Sequence, residues 1–344
     1  MKYALLQWLA CPACRSTELG LEMRRTRTSS PATRLDPDTP GYDPTSGTLQ
    51  EVVEGELRCA SCSTRYTIED GIPRLVVSPP RVVASAHVST HFDASAPEWE
   101  EAFLDLASPL GPSDYLGQLA LDVGCGFGRG AYFAARYGAE VIAVDVDPEV
   151  IATCRHNTRR FPRVHPVQAD ATRLPFRPAT FSLVYAYGLL HHLEDPMAVF
   201  HECSRMLEPG GRFSLWVYGP RQGTAAALSA LLRGITKEMP SSELLNVSRL
   251  IASVLRLASH TPYRLLRHLP GMRSLISHLP LHEHHRWPYD VVVADIFDRL
   301  RIPVTRTFTR EEIEARFVDE GYLDVRTSMR MGNNESVRAL GTRR

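Results

Sequence analysis

Apolar and polar positions follow two different periods between residues 115 and 218. The segments at 128–138, 148–161 and 196–211 have apolar residues at helical spacing. Between them lie five short apolar runs typical of buried strands: LALDVG (119–124), EVIAVD (140–145), RVHPVQA (163–169), FSLVYAYG (181–188) and GRFSLWVYG (211–219). Strands that alternate with helices predict an α/β fold built on a doubly wound, mostly parallel sheet.

The pattern changes after residue 220, where consecutive amphipathic helices are predicted at 225–235, 244–259 and 263–269. Residues 221–280 contain eight Arg and Lys residues against two Glu. We expect residues 220–300 to form a helical cap over an apolar or anionic substrate, with a membrane-surface helix as the alternative. A last helix is predicted at 309–322, and residues 323–340 are expected to close the sheet as an antiparallel pair.

The first 80 residues have a different composition, with paired cysteines and short strand-like runs. Within them, residues 24–47 have almost no apolar side chains and predict a mobile loop. The SPP sequence at 78–80 indicates a linker. We therefore expect one domain at 1–78 and a second at 85–344.

The composition is that of an ordinary globular protein and excludes few classes of function. Apolar residues make up 44% and charged residues 23% of 344 residues, and the formal net charge is zero, so no nucleic-acid or membrane partner is indicated by charge alone. The first ten residues lack the pattern of a signal peptide, and no apolar run is long enough to span a bilayer. These features predict a cytoplasmic protein of unknown oligomeric state.

Four of the seven cysteines form two Cys-x-x-Cys pairs, Cys11/Cys14 and Cys59/Cys62. One such pair alone is also typical of a redox site, but two pairs in a small segment favour a tetrahedral zinc site. Four thiolates leave no open coordination position, so the zinc is expected to be structural.

A glycine-rich loop follows the first strand of the α/β region, with Gly124, Gly126 and Gly128 at alternate positions. Such a loop lets the backbone approach a ligand at a helix N-terminus. Asp145, at the end of the next strand, is placed to accept hydrogen bonds from ribose hydroxyls. Residues 126–131 also fit a looser dinucleotide pattern, so a nicotinamide or flavin oxidoreductase and a simple packing turn remain alternatives.

The sequence resembles the class I S-adenosylmethionine-dependent methyltransferases in four ordered motifs. These are DVGCGFG (122–128), DATRLPF (170–176), YGLLHHLEDP (187–196) and RMLEPGGRFSL (205–215). The resemblance implies a seven-stranded sheet and S-adenosylmethionine as cofactor. It places Gly124, Gly126 and Gly128 at the methionine and ribose portion, Asp145 at the ribose, Val146, Asp170 and Ala171 at the adenine, and Asp122 at the amino group or as an organiser of the loop.

The same resemblance extends to the catalytic side. Residues 87–103 resemble the helix that covers the cofactor, although a plain packing helix fits equally well. Tyr187, His191 and His192 lie at the exit of the fourth strand, which faces the methyl group in this fold. A histidine titrates near neutral pH, so His191 is predicted as the base, unless the loop only packs and orients the cofactor.

The N-terminal segment resembles the small zinc-ribbon proteins that activate tRNA and ribosomal-RNA methyltransferases, through its cysteines and the YTIEDGIPRL tail (66–75). The histidine-rich stretch at 282–290 is less informative. A metal site at His282, His284 and His285 is one interpretation. Substrate contacts are the preferred one, with five candidate residues: His284, His285, Arg286, Trp287 and Tyr289.

These observations predict a methyltransferase that acts on a small, partly apolar metabolite such as a polyketide, quinone or lipid-like compound. An RNA methyltransferase, whose ribbon and basic cap hold RNA, is the first alternative, and a non-catalytic scaffold is the second. A hydroxyl, amine or carbon acceptor is equally consistent with the sequence.

Overall fold

The computed structural model describes residues 1–30, 37–77, 97–220, 234–236, 239–269, 289–301, 306–330 and 336–344, with five single residues between 272 and 287. The predicted linker at 78–80, the helix at 225–233 and most of the histidine-rich stretch lie outside these described residues.

The N-terminal segment begins with a 3₁₀ helix, Tyr3–Trp8, and continues as an antiparallel meander. Its five strands are β1 (Leu19–Ser29), β2 (Tyr42–Asp43), β3 (Thr48–Cys59), β4 (Arg65–Glu69) and β5 (Ile72–Leu75). The expectation of a loop over 24–47 is wrong for its first part, because β1 continues to Ser29. Cross-strand ion pairs on the exposed face, Arg27–Glu51 at 2.8 Å and Arg25–Glu54, support a strand with few apolar residues.

Seven further strands form the predicted α/β sheet. They are β6 (Leu119–Val123), β7 (Glu140–Asp145), β8 (Val164–Ala169), β9 (Phe181–Tyr187), β10 (Leu207–Tyr218), β11 (Tyr322–Arg330) and β12 (Ser336–Arg343). Their order is β8-β7-β6-β9-β10-β12-β11, and only β12 runs antiparallel to its neighbours. The doubly wound, mostly parallel seven-stranded sheet and its closing antiparallel pair are therefore confirmed.

The two parts of the chain share one sheet. Strand β5 runs parallel to β8, with Arg74 opposite Gln168 and Leu75 opposite Ala169, so the N-terminal meander extends the α/β sheet at its β8 edge. One apolar cluster continues across this junction and includes Leu5 and Leu57 from the meander with Val167 and Phe176 from the α/β part. No local pattern in the sequence predicts this continuity.

Eight α-helices lie within the described ranges. They are α1 (Pro97–Ala107), α2 (Arg129–Arg136), α3 (Pro148–Thr158), α4 (Pro196–Met206), α5 (Ser241–Leu255), α6 (Thr261–Leu266), α7 (Tyr289–Arg301) and α8 (Arg310–Asp319). Asp147 and Asp195 cap α3 and α4 through their carboxylates. Because these caps end the loops after β7 and β9, they fix where the helices begin on the carboxyl side of the sheet.

The cap contains α5, a π-helical turn (Arg256–His260), α6 and α7. Helix α5 packs on α7 through an apolar cluster of its own, which includes Leu244, Ala252, Val293 and Phe297. Trp287 contacts both this cluster and a core cluster of the α/β part. The predicted helices at 244–259 and 263–269 are therefore present, as one helical arm.

Candidate functional site

The glycine loop lies at the carboxyl end of β6, between the strand and α2. Gly126 and Gly128 have φ values of +54° and +90°, a region that side-chain-bearing residues rarely adopt. A Cβ at Gly128 would lie 2.7 Å from Cys154 Sγ of α3, whereas a Cβ at Gly126 would meet no atom within 4 Å. The loop is thus packed tightly against α3 at one point and has an open backbone surface at the other.

Asp145, at the end of β7, is held beside this open part of the loop. Its Oδ2 accepts a hydrogen bond from Gly126 N at 3.1 Å, and its Oδ1 accepts one from Asp147 N at 3.0 Å. Burial raises the pKa of Asp145 to about 6. The carboxylate is therefore fixed by backbone donors with lone pairs remaining for a further donor, as the predicted ribose contact requires.

Asp122 occupies a different position from Asp145, beneath the first turn of α2. It is buried, and a Cβ at Gly130 would lie 2.7 Å from its Oδ2. Within the described part of the chain, this oxygen has no hydrogen-bond partner, and burial raises the pKa of Asp122 to about 7. Of its two predicted roles, this placement favours the organiser of the loop.

The predicted adenine residues lie at the ends of β7 and β8. Gln168 Nε2 donates to the carbonyl oxygen of Val146 at 2.9 Å and joins the two strand ends. Asp170 is exposed and caps the short 3₁₀ helix that starts at Ala171, accepting from Thr172 N at 2.8 Å. Because β6, β7 and β8 are adjacent and parallel, their ends bring the glycine loop and these residues to one edge of the sheet.

The predicted covering helix is present as α1 for residues 97–103, while residues 87–96 lie outside the described chain. Trp99 packs edge-on against Phe127 of the glycine loop, with ring centroids 5.9 Å apart, and the Arg129 guanidinium lies 5.5 Å from the Trp99 ring. Trp99 and Phe103 are also buried in the core. The helix therefore packs in the core and contacts the loop at the same time.

The three candidate catalytic residues have different surroundings. Tyr187 OH donates to Ser214 Oγ at 2.9 Å and lies 3.5 Å from Tyr115 OH, and burial raises the pKa of Tyr187. His191 is fully buried, and its Nδ1 accepts from Tyr218 N at 3.2 Å. His192 is partly exposed, with its ring centroid 4.2 Å from that of His191.

This contact matters for the prediction that His191 is the base. A neutral imidazole whose Nδ1 accepts a hydrogen bond has its proton on Nε2 and has no second lone pair to offer. The imidazole of His191 therefore holds the end of β10 in place. Its role as base stays a prediction, and the geometry does not favour it.

The four paired cysteines come together at one end of the N-terminal meander. All four Sγ atoms lie within 4.8 Å of one another, with Cys11–Cys62 and Cys14–Cys59 each at 3.6 Å. A tetrahedral Zn–S₄ site with bonds of about 2.3 Å places its sulfurs about 3.8 Å apart. The donor set and spacing fit zinc, and Tyr66 OH lies 3.1 Å from Cys11 Sγ. No other cluster of His, Cys, Asp and Glu side chains that could bind a metal ion occurs among the described residues.

The turn that carries Cys11 and Cys14 contacts the segment after β8, a link that the sequence did not reveal. Ala10 N donates to Pro175 O and Arg177 N donates to Trp8 O, both at 2.9 Å. Arg15 forms a bidentate ion pair with Glu202 of α4, at 3.0 and 3.1 Å. Glu202 also accepts from Leu174 N at 3.1 Å, so the cysteine turn is tied to the predicted adenine segment.

The predicted substrate-side residues are only partly described. His285 lies 2.9 Å from Arg267, Trp287 packs in the core, and Tyr289 OH donates to Arg249 O at 2.9 Å. His282, His284 and Arg286 lie outside the described residues. Those described residues have packing contacts, and their role toward a substrate stays a prediction. Separately, none of the helices described here has the length and apolarity needed to cross a membrane.

Comparison with known proteins finds a family match within each part of the chain. Residues 121–215 match the model of a methyltransferase domain, and residues 2–71 match the model of the Trm112p-like proteins. The matched ranges contain the glycine loop and the four cysteines, respectively.

Curated relatives match the methyltransferase part. The ubiquinone biosynthesis O-methyltransferase of Xylella fastidiosa is 39% identical over 98 residues, which is 28% of this chain and 40% of that protein. The enzyme of the same name from Xanthomonas oryzae is 36% identical over 104 residues, which is 30% of this chain and 44% of that protein. The chain thus spans less than half the length of these relatives.

A solved structure, magnesium protoporphyrin IX methyltransferase from Synechocystis with bound SAH, superposes with a TM-score of 0.42 at 14% identity, covering 72% of this chain and 83% of that one. The two family models match separate ranges that do not overlap. The chain therefore joins a Trm112p-like domain, at residues 2–71, to a methyltransferase domain, at residues 121–215.

Proposed function

We propose that the protein transfers a methyl group from S-adenosylmethionine to a hydroxyl of a small quinone-like phenol. The observation that carries the proposal is the strand-end arrangement, in which Asp145 is hydrogen-bonded to Gly126 inside a matched methyltransferase domain. A dinucleotide oxidoreductase uses a similar loop, but residues 121–215 match a methyltransferase model.

The residues around the loop fit the cofactor. The open backbone at Gly126 admits a ribose and its sulfonium chain, and the Asp145 carboxylate accepts from ribose hydroxyls. Asp170 and Val146 lie at the neighbouring strand ends, on the same edge of the sheet as the loop, where the adenine is proposed to bind. When bound, S-adenosylmethionine supplies an activated methyl group. The residues of the chain orient the acceptor, exclude water and receive its proton.

We place the acceptor at the exit of β9. Tyr187, hydrogen-bonded to Ser214, has a raised pKa and therefore stays a neutral hydroxyl that orients the acceptor oxygen. His191 has its Nδ1 engaged by Tyr218 N. His192, the remaining candidate, is partly exposed beside it, and a histidine pKa suits removal of a proton from a phenol near neutral pH. His192 is therefore the proposed base.

The proposal of a quinone-like acceptor rests on two curated relatives of the domain, both ubiquinone biosynthesis O-methyltransferases. The cap packs close to the proposed acceptor site, because Trp287 contacts both the apolar cluster between α5 and α7 and the core cluster against which Tyr187 packs.

The Trm112p-like domain is proposed to act on the methyltransferase domain of its own chain. With zinc bound to Cys11, Cys14, Cys59 and Cys62, the cysteine turn is rigid, and the contacts of its domain with Pro175, Arg177 and Glu202 hold the adenine segment in place. In this role zinc is structural and takes no part in the reaction.

The test uses the purified full chain with methyl-labelled S-adenosylmethionine, a demethylated ubiquinol analogue with a short side chain, and a cell extract. Label in the quinol, or in the organic-soluble fraction of the extract, supports the proposal. Label in RNA would replace the acceptor class with nucleic acid, and no cofactor binding by calorimetry would refute the activity. Asp145→Ala should weaken cofactor binding, and Asp319→Ala on exposed α8 is the matched control.

A further inference from the structure

The helical arm, residues 239–269, has an outer face with an unusual number of exposed apolar side chains. Leu250, Val254, Leu257, Leu265 and Leu269 are between 50% and 77% exposed, and they are five of the eleven large apolar side chains exposed among the described residues. Such side chains are normally scattered singly over a surface. Their concentration on one element needs an explanation.

Three of the five side chains lie along one face of the arm, and the other two are exposed further along it. Leu250, Val254 and Leu257 follow the i, i+4, i+7 spacing of a helical stripe. The π-helical turn and α6 continue the arm to Leu265 and Leu269. The opposite face is already used, since Leu244, Ser248 and Ala252 are buried and the inner side packs on α7. The arm therefore has two apolar faces, one that packs inside the protein and one that is exposed.

The charge on the arm is strongly one-sided. It contains Arg249, Arg256, Arg264 and Arg267 but a single acidic residue, Glu243, in a chain whose net charge is zero. Arg249 and Arg264 are exposed, and no ion pair joins either of them to a carboxylate within the described ranges. Glu243 lies at the start of α5, away from the leucines of α6. Cations thus flank the apolar stripe along most of its length.

We propose that the helical arm docks on an anionic lipid surface. Its outer leucines enter the boundary between headgroups and acyl chains, and its arginines contact lipid phosphates. An outward apolar stripe flanked by arginines is the chemistry that an anionic bilayer interface binds. A second copy of the chain fits less well, because it would bring the same set of arginines against itself. An RNA partner would use the arginines but gives no role to the leucines.

This inference is independent of the proposed methyl acceptor, since lipid binding is measured without cofactor or substrate. The probe is a set of vesicles of phosphatidylcholine, with or without roughly 30% phosphatidylglycerol, sedimented with the full chain. We expect binding to the anionic vesicles, weakened by salt because surface charges are screened. Zwitterionic vesicles should bind it far less.

Two pairs of variants test the stripe and the charges separately. Leu257→Glu with Leu265→Glu should lower vesicle partitioning at least about tenfold. Arg249→Gln with Arg264→Gln should lower it roughly 25-fold, since each surface arginine contributes about a fivefold factor. Val318→Glu replaces an equally exposed apolar residue on α8 and should leave partitioning unchanged.

Three results would overturn the proposal. The first is no preference for anionic vesicles over zwitterionic ones. The second is binding that is lost with the arginines but insensitive to the leucine variants, which is the behaviour expected of a nucleic-acid site. The third is a concentration-dependent dimer, seen by sedimentation velocity, that Leu257→Glu abolishes, because the face would then belong to an interface between copies. Cofactor binding by the same variants, measured in parallel, reports on folding.

Discussion

Alanine at Gly128 should mainly lower the stability of the protein, whereas alanine at Gly126 should mainly weaken cofactor binding. At Gly128 the new methyl group would lie 2.7 Å from Cys154 Sγ and 3.1 Å from its Cα, and ordinary contacts begin near 3.4 Å. Overpacking of this kind costs about 1–3 kcal/mol, and the left-handed backbone adds about 1–2 kcal/mol. We therefore expect Gly128→Ala to lower the free energy of unfolding by about 2–5 kcal/mol, measured by urea titration.

At Gly126 the methyl group meets no protein atom within 4 Å, so only the backbone term of about 1–2 kcal/mol applies. The methyl group would instead project from the backbone beside Asp145, where the ribose is proposed to bind. We expect Gly126→Ala to weaken S-adenosylmethionine binding by at least about tenfold in calorimetry, with a smaller loss of stability.

The double variant Gly128→Ala/Cys154→Ala provides the control. Removing the Cys154 sulfur relieves the 2.7 Å contact, but the 3.1 Å contact with Cα and the backbone strain remain, so the double variant should recover part of the overpacking cost of about 1–3 kcal/mol relative to the sum of the single variants. Additive losses would show that the loop does not pack on α3 as described. Unchanged cofactor affinity in Gly126→Ala would refute the placement of the cofactor.

Four further outcomes are expected. Cys59→Ser should remove zinc, measured by metal analysis, and lower the urea midpoint; full metal content would refute the four-ligand site. Arg15→Ala should cost about 1 kcal/mol because the Arg15–Glu202 pair is half exposed, and it should weaken cofactor binding, unlike Arg310→Ala on α8. Cofactor affinity should fall as the pH drops through about 6, where Asp145 becomes protonated, and Asp145→Asn should abolish this dependence. The free energy of unfolding should depend on pH in the opposite direction. The raised pKa of Asp145 stabilises the fold at low pH, and that contribution is lost as the pH rises through about 6. His192→Asn should lower kcat with little change in cofactor affinity, and an unchanged rate would exclude it as the base.

The α/β sheet was predictable because its strands are locally encoded. Each of β6 to β9 is an apolar run of five to seven residues, and the turns that follow them contain Gly or Asp at positions where the backbone requires those residues. The four cysteines were equally predictable, since metal-ligand spacing is itself a local pattern. Both features depend on short segments of the chain and can be predicted from each segment alone.

Long-range contacts explain what the sequence did not reveal. The pairing of Arg74 with Gln168 joins positions far apart in the chain, and no local pattern marks it. The polar strand β1 depends on partners such as Glu51, which lie on another strand. The engagement of His191 by the backbone of Tyr218 likewise appears only once β9 and β10 are adjacent.

The parallel pairing of β5 with β8 also has a consequence for self-association. Strand β8 is buried along its whole length and would otherwise be an outer strand, with unpaired N–H and C=O groups next to an apolar face. Such an edge is a template for pairing between chains and for aggregation. By pairing with the carboxyl end of β8, at Gln168 and Ala169, the cysteine-rich domain moves the edge of the sheet outward to β1, whose exposed face carries ion pairs with β3. The domain thus gives the large sheet a charged edge that disfavours the addition of another strand.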